Sequence, residues 1–97
     1  MLTREDVLQI LRENKDRFAE KYGVTKIGLF GSFARNEATE ESDVDVCVEL
    51  AKATYDIVFD LREEIMEKTL RSVDLIQVRY GMNAFLKQRI ERDAIYV

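Results

Sequence analysis

Apolar residues along the first half of the chain change from helical to strand spacing, and this change predicts its elements. Between Thr3 and about Lys21 they recur every three or four positions, which is typical of an amphipathic helix, and Gly23 is placed to end it. The run Val24–Phe30 is short, apolar and bounded by turn residues, which indicates a buried strand. In the run Asp43–Leu50 a valine occupies alternate positions, so we expect a strand with one face in the core.

The second half of the chain repeats this alternation of helix and strand. Helices are expected over about 54–69 and 82–92, and a strand is expected over 73–78. A short helix is expected over 33–36, and residues 94–97 are extended and form a candidate edge strand. The buried stripe of the helix over 54–69 is expected to contain Ile57, Val58, Leu61, Ile65 and Leu70.

Helices that alternate with strands predict an α/β fold. We expect a small mixed sheet of three strands, or of four if residues 94–97 join it, with helices packed on one face. The chain has 97 residues, no proline, no internal repeat and no low-complexity segment, and its length suits one small domain. Residues 1–97 are therefore predicted to form a single domain.

Composition limits the chemistry that this chain can perform. It contains no histidine, so imidazole bases, Ser-His-Asp triads and most zinc sites are excluded, and acid–base or metal chemistry must rest on carboxylates. The single cysteine, Cys47, cannot form an internal disulfide, which fits a reducing compartment. Apolar runs are too short to cross a membrane, and a net charge of −4 disfavours extensive nucleic-acid binding. We therefore expect a cytoplasmic protein that does not engage a membrane and does not bind nucleic acid extensively.

Asp43 and Asp45 are the strongest candidates for a functional site. Both project from the face of their predicted strand that lies opposite the valines, with Cα atoms about 7 Å apart. No lysine or arginine occurs over 36–49, so the carboxylates would repel each other unless a divalent cation joined them. Asp74 lies on the next predicted strand and can join the pair if the two strands are neighbours. Three convergent carboxylates suit hard ions such as Mg²⁺ or Mn²⁺, and phosphoryl transfer uses two such ions.

A phosphate site is predicted at Gly31-Ser32, which directly follows the first strand and is separated from Asp43 by ten residues. Gly31 permits close approach of the backbone, and Ser32 offers a hydroxyl and a backbone N–H at the start of a helix. These groups suit the triphosphate of a nucleotide. Arg35 is a candidate either for contact with phosphate or for an ion pair with Glu37 or another surface acid.

The pattern Gly31-Ser32, ten residues, Asp43-x-Asp45 and a later strand aspartate, Asp74, resembles the nucleotidyltransferases of the DNA polymerase beta superfamily. The short chain and the residue sequence of this segment resemble the minimal nucleotidyltransferase (MNT) domains of prokaryotes. Those domains are commonly the antitoxins of HEPN/MNT toxin–antitoxin pairs. The family usually has glycine after the arginine. Here Asn36 takes its place, and asparagine tolerates a positive φ, so the turn can persist.

The resemblance implies a nucleotidyltransferase fold and an enzyme that transfers AMP from ATP to a hydroxyl, with a tyrosine of a HEPN ribonuclease toxin as acceptor. It implies that Asp43 and Asp45 ligate two Mg²⁺ ions. Asp74 would ligate one of them and help to activate the attacking hydroxyl. Gly31 and Ser32 would hold the nucleotide phosphates. Two alternatives stay open: an antitoxin that acts by occlusion without catalysis, and a subunit of a small-molecule nucleotidyltransferase.

Basic residues near the C-terminus have two open interpretations, a solvated helix face or a docking surface for a partner. They are Arg79, Lys87, Arg89 and Arg92. Glu49 shares the strand face of Asp43 and Asp45 but lies further along it, and we interpret it as structural.

Overall fold

The computed structural model describes all of residues 1–97, which form four helices and four strands. Helices and strands alternate as the spacing of apolar residues predicts, and the predicted bounds are confirmed to within one or two residues. The elements are α1 (Arg4–Tyr22), β1 (Val24–Phe30), α2 (Gly31–Ala34), β2 (Val44–Leu50), α3 (Tyr55–Thr69), β3 (Val73–Gln77), α4 (Ala84–Asp93) and β4 (Ile95–Tyr96).

Helix α1 begins and ends at the residues that the sequence marks. The Thr3 hydroxyl accepts a hydrogen bond from the backbone N–H of Asp6 at 3.1 Å, and the Asp6 carboxylate accepts one from the backbone N–H of Thr3 at 2.9 Å. This capping box satisfies two backbone donors that a helix start otherwise leaves unpaired. Gly23 closes the helix with a left-handed backbone at φ 73°, and its N–H bonds to the carbonyl of Ala19.

All four strands lie in one mixed sheet, in the order β3-β2-β1-β4. Strand β1 pairs antiparallel with β2 and with β4, whereas β2 pairs parallel with β3. The predicted mixed sheet is confirmed, and residues 95–96 supply the fourth strand. Because β2 and β3 are neighbours, Asp74 can join Asp43 and Asp45.

The sheet carries an apolar cluster on each face. The larger cluster joins the valines of β2 to apolar residues of α1 and α3, so these helices share one face as predicted. The smaller cluster contains Phe30, Cys47 and Ile90 on the other face. Helix α4 departs from the predicted arrangement because its Ile90 covers these two residues, which would otherwise expose apolar surface to water. Cys47 is therefore a packing residue, as its strand position predicts.

Leu70 does not belong to the buried stripe of α3, and that prediction is wrong. Leu61 and Ile65 are buried, but Leu70 is 86% exposed. It occupies the C-cap of α3 with a left-handed backbone, at φ 57°, and its N–H bonds to the carbonyl of Met66. Because the helix ends at Thr69, the reversal of the backbone turns the next side chain away from the core.

Candidate active site

Strand pairing brings two of the predicted acids side by side. Asp45 on β2 is the register partner of Asp74 on β3, and strands that pair in this way lie about 4.8 Å apart. Register partners point to the same face of a sheet, so both carboxylates lie on the face that carries α4. Asp43 directly precedes β2. Asp45 is half-buried, whereas Asp43 and Asp74 are exposed.

Gly31 lies directly against the carboxylate of Asp45. It begins α2 with a φ of +75°, a backbone conformation that side chains disfavour. A Cβ atom at Gly31 would lie 2.0 Å from Oδ2 and 2.9 Å from Cγ of Asp45. Any other residue at this position would therefore have to displace the carboxylate. The sequence predicts that Gly31 lets a phosphate approach the backbone, whereas the group that lies against it in the structure is the Asp45 carboxylate.

Burial is the main cause that raises the pKa of Asp45, and the charge of Asp74 is the second. Asp43 raises this pKa further, while the positive charges of Arg89 and Arg35 lower it. None of the three carboxylates forms an ion pair with a basic residue. The site therefore contains mutually repelling acids without a directly bound positive charge.

The donor chemistry at this site fits a hard divalent cation, because carboxylate oxygens are the ligands that Mg²⁺ and Mn²⁺ prefer. As the side chains stand, no three acidic or sulfur ligands are close enough together to hold one metal ion. Asp43 and Asp74 are exposed, so their side chains can change rotamer without disturbing the core. The Asp45 carboxylate is half-buried and held against Gly31, so the side chains of Asp43 and Asp74 would turn toward it to complete a metal site.

Ser32 is the second residue of the short helix α2 and is half-buried. The residue before this helix, Phe30, provides no side-chain hydrogen bond to its first turn. The first backbone N–H groups of a helix have no partner within the helix, so they can donate to an anion. Because Gly31 contacts Asp45, the start of α2 lies beside the acids.

Arg35 pairs with an acid that the sequence analysis missed. Its Nη1 donates to Oδ2 of Asp93 at 2.6 Å, and its Nε lies 3.6 Å from Glu37. The Asp93 side chain is only 3% exposed. Hydrogen bonds from Arg92, with those from Arg35 adding to them, lower the pKa of Asp93 to about 2. Because 58 residues separate Arg35 from Asp93, no local sequence signal could have linked them.

Asn36 has a φ of 62°, so the turn after Arg35 keeps the left-handed conformation that glycine usually provides. This confirms that asparagine preserves the turn. Glu49 lies 3.9 Å from Lys26 on the neighbouring strand, an ion pair consistent with its structural interpretation. Arg89, which the sequence leaves as a solvated or docking residue, instead lies over the Phe30 ring, with 5.6 Å between its Cζ and the ring centroid.

Residues 11–97 match the family model described as the nucleotidyltransferase domain. The chain belongs to this family. It is 36% identical over 98 residues to the protein adenylyltransferase MntA of Thermococcus cleftensis, and the match covers 100% of this chain and 98% of that protein. It is 43% identical over 100 residues to a candidate protein adenylyltransferase of Methanocaldococcus jannaschii, with both chains fully covered.

Solved structures share the fold of this nucleotidyltransferase. A candidate minimal nucleotidyltransferase superposes with a TM-score of 0.77 at 27% identity, and the match covers 97% of this chain and 95% of that one. A complex of a tri-AMPylated HEPN toxin with its MNT antitoxin, from Shewanella oneidensis, contains a chain that superposes with a TM-score of 0.62 at 20% identity. That match covers 96% of this chain and 66% of the other. No helix of this structure has the length and apolar character needed to span a membrane.

Proposed function

We propose that this nucleotidyltransferase transfers AMP from ATP to a tyrosine hydroxyl of a HEPN ribonuclease toxin and thereby neutralises it. The observation that carries the proposal is the contact between Gly31 and the Asp45 carboxylate, with Asp74 in register beside it. This contact joins Gly31-Ser32, the proposed phosphate-binding turn, to the acids that the proposed reaction needs. The name of the Thermococcus relative and the AMPylated toxin in the Shewanella complex support the choice of reaction and partner.

In the proposed reaction the acceptor oxygen attacks the α-phosphorus of ATP, and the bond from that phosphorus to the bridging oxygen of the β-phosphate breaks. The products are an AMP–tyrosine ester and pyrophosphate. Asp74, which is exposed beside the half-buried Asp45, would accept the proton of the attacking hydroxyl. The backbone N–H groups that begin α2, with the Ser32 hydroxyl, would hold the phosphates. Arg35 is proposed as a further phosphate contact through donors that Asp93 does not use.

Divalent cations fit this proposal as a pair of Mg²⁺ ions, with Mn²⁺ as a substitute. Asp43 and Asp45 would ligate both ions, and Asp74 would ligate one. When bound, the ions would offset negative charge on the transferred phosphoryl group and on the leaving pyrophosphate. The charge repulsion at Asp45, which Asp74 and Asp43 both increase, supports a cation at this point.

The experiment that tests this function compares wild type with Asp74→Asn. Each is incubated with a HEPN toxin, ATP and Mg²⁺, and the toxin is then weighed by intact mass spectrometry. Its ribonuclease activity is assayed after the antitoxin has been removed. Asp60→Asn, an exposed change on α3, is the matched control. Wild type and the control should add AMP and inactivate the toxin lastingly, whereas Asp74→Asn should do neither and still bind ATP.

Occlusion without catalysis is the second candidate function, and one observation favours it. The acids do not already stand as a group that could hold a metal ion. If Asp74→Asn neutralises the toxin as well as wild type does, and neither protein adds mass to it, the antitoxin acts by covering its partner. The enzymatic proposal would then be wrong.

A further inference from the structure

Two arginines lie close enough to the acids to lower the pKa of Asp45, and only one of them, Arg89, lacks an acidic partner. Arg35 pairs with Asp93 and Glu37, and Arg92 bonds to Asp93 through two nitrogens at 2.9 Å and 3.0 Å. Arg89 forms no ion pair. It is nevertheless half-buried. A partly desolvated guanidinium without an anion is unfavourable, because the protein must replace the water that it loses.

Arg89 packs against Phe30, the residue directly before Gly31-Ser32, where phosphate binding is proposed. Its Cζ lies 5.6 Å from the centroid of the Phe30 ring, which is within the range of a cation–π interaction. Phe30 directly precedes Gly31 and is the register partner of Asp45. The guanidinium therefore lies at the edge of the acidic site, and its charge is felt by the Asp45 carboxylate.

Space for a ligand lies beside this guanidinium. One side of α4 lines an open cavity of about 480 Å³. The lining residues are Phe85, Gln88, Arg89 and Arg92. Because Arg92 is hydrogen-bonded to Asp93, Arg89 is the arginine of this cavity that forms no ion pair with an acid of the chain. The chemistry suits the anionic part of a ligand whose remainder lies at the acidic site, since Arg89 lies at the edge of that site.

We propose that Arg89 binds the β- and γ-phosphates of ATP, the part of the nucleotide that leaves as pyrophosphate. This inference rests on the proposed function, because it assigns a residue to the same nucleotide site. The planar guanidinium can donate two parallel hydrogen bonds to phosphate oxygens. Placed on the leaving group, it would favour departure of pyrophosphate, because it offsets the negative charge that the leaving group gains. A different role, in which Arg89 only offsets the repulsion among the acids, predicts no preference for pyrophosphate over AMP.

The test measures binding of ATP, inorganic pyrophosphate and AMP by calorimetry with Mg²⁺ present, using wild type, Arg89→Gln, Arg89→Lys and Lys87→Gln. Lys87→Gln is the matched control, since it removes one positive charge from an exposed position on the same helix. Loss of a charged hydrogen-bond donor predicts about tenfold weaker binding of ATP and pyrophosphate to Arg89→Gln. AMP binding should change less than about twofold, and Arg89→Lys should recover part of the loss. Circular dichroism checks that each variant is folded.

Three results would overturn the inference. In the first, Arg89→Gln binds ATP and pyrophosphate as wild type does. In the second, it loses AMP affinity to the same extent as pyrophosphate affinity. Either result would leave the proposed nucleotide site intact and assign the phosphates to other residues. In the third, wild type binds neither ATP nor pyrophosphate, and the proposed function fails together with the role of Arg89.

Discussion

The Asp45 carboxylate occupies the space that a side chain at Gly31 would need, because a Cβ atom at position 31 would lie 2.0 Å from Oδ2 of the aspartate. The start of α2 and the second residue of β2 are therefore in contact through a residue that has no side chain. This contact ties the backbone at the start of α2 to the orientation of the carboxylate. A side chain at position 31 should disturb both together.

Gly31→Ala should abolish the stabilisation that Mg²⁺ and ATP give to wild type, since the methyl group would push the Asp45 carboxylate away. Gly81→Ala is a matched control, because Gly81 has a similar φ of +79° and a Cβ atom there would have no neighbour within 4 Å. Both changes cost about 1–2 kcal/mol for the left-handed backbone. Thermal melts with and without Mg²⁺ and ATP separate the two effects. Equal responses of the two variants would contradict the proposed contact.

Asp45→Asn should raise the melting temperature of the metal-free protein at neutral pH. It removes a half-buried charge that burial and Asp74 both disfavour. The same change should remove the response to ligand. Wild type should gain about 2.7 kcal/mol when Mg²⁺ and ATP are present at a hundred times their dissociation constant. Persistence of that gain in Asp45→Asn would show that the ions bind elsewhere.

Ser32→Ala should weaken ATP binding without changing the fold. Loss of one hydrogen bond costs about 0.5–1.5 kcal/mol, and up to about 3 kcal/mol when the partner is charged. The corresponding loss of affinity is partial, because 1.4 kcal/mol is about tenfold. Ser72→Ala, at an exposed position before β3, provides the comparison. Calorimetry that gives wild-type affinity for Ser32→Ala would limit the role of this turn to its backbone.

Acid should weaken the fold through Asp93, whose pKa is lowered to about 2 by hydrogen bonds from Arg92 and Arg35. A carboxyl with a lowered pKa in the folded state stabilises the protein above its unfolded pKa, which is about 3.9. This contribution is lost as the pH falls from about 4 toward 2. Asp93→Asn should be less stable than wild type at neutral pH, and this difference should shrink over the same range.

Urea denaturation at several pH values measures the effect of Asp93. Asp60→Asn, an exposed change on α3, shows the response to loss of an ordinary carboxyl. Identical pH profiles for wild type and Asp93→Asn would mean that the ion pairs of Asp93 with Arg35 and Arg92 contribute nothing to stability in solution.

Local patterns were sufficient to predict the elements of this fold. The capping box at Thr3 and the alternating valines of β2 depend on residues a few positions apart, so their geometry follows from helix and strand periodicity. The same holds for the positive φ at Asn36. The spacing from Gly31-Ser32 to Asp43 and Asp45 predicted a nucleotidyltransferase through its resemblance to that family, because these residues lie in one short segment.

Periodicity does not say which strands are neighbours or where a helix crosses the sheet. Asp74 joins Asp45 only because β3 pairs parallel with β2, and Leu70 points outward because the backbone reverses there. Helix α4 packs on the second face of the sheet because Phe30 and Cys47 would otherwise expose apolar surface to water. This packing brings Arg89 onto the Phe30 ring, next to the acids, and brings Asp93 within hydrogen-bond distance of Arg35. These contacts join residues far apart in the chain, so packing of the whole core decides them.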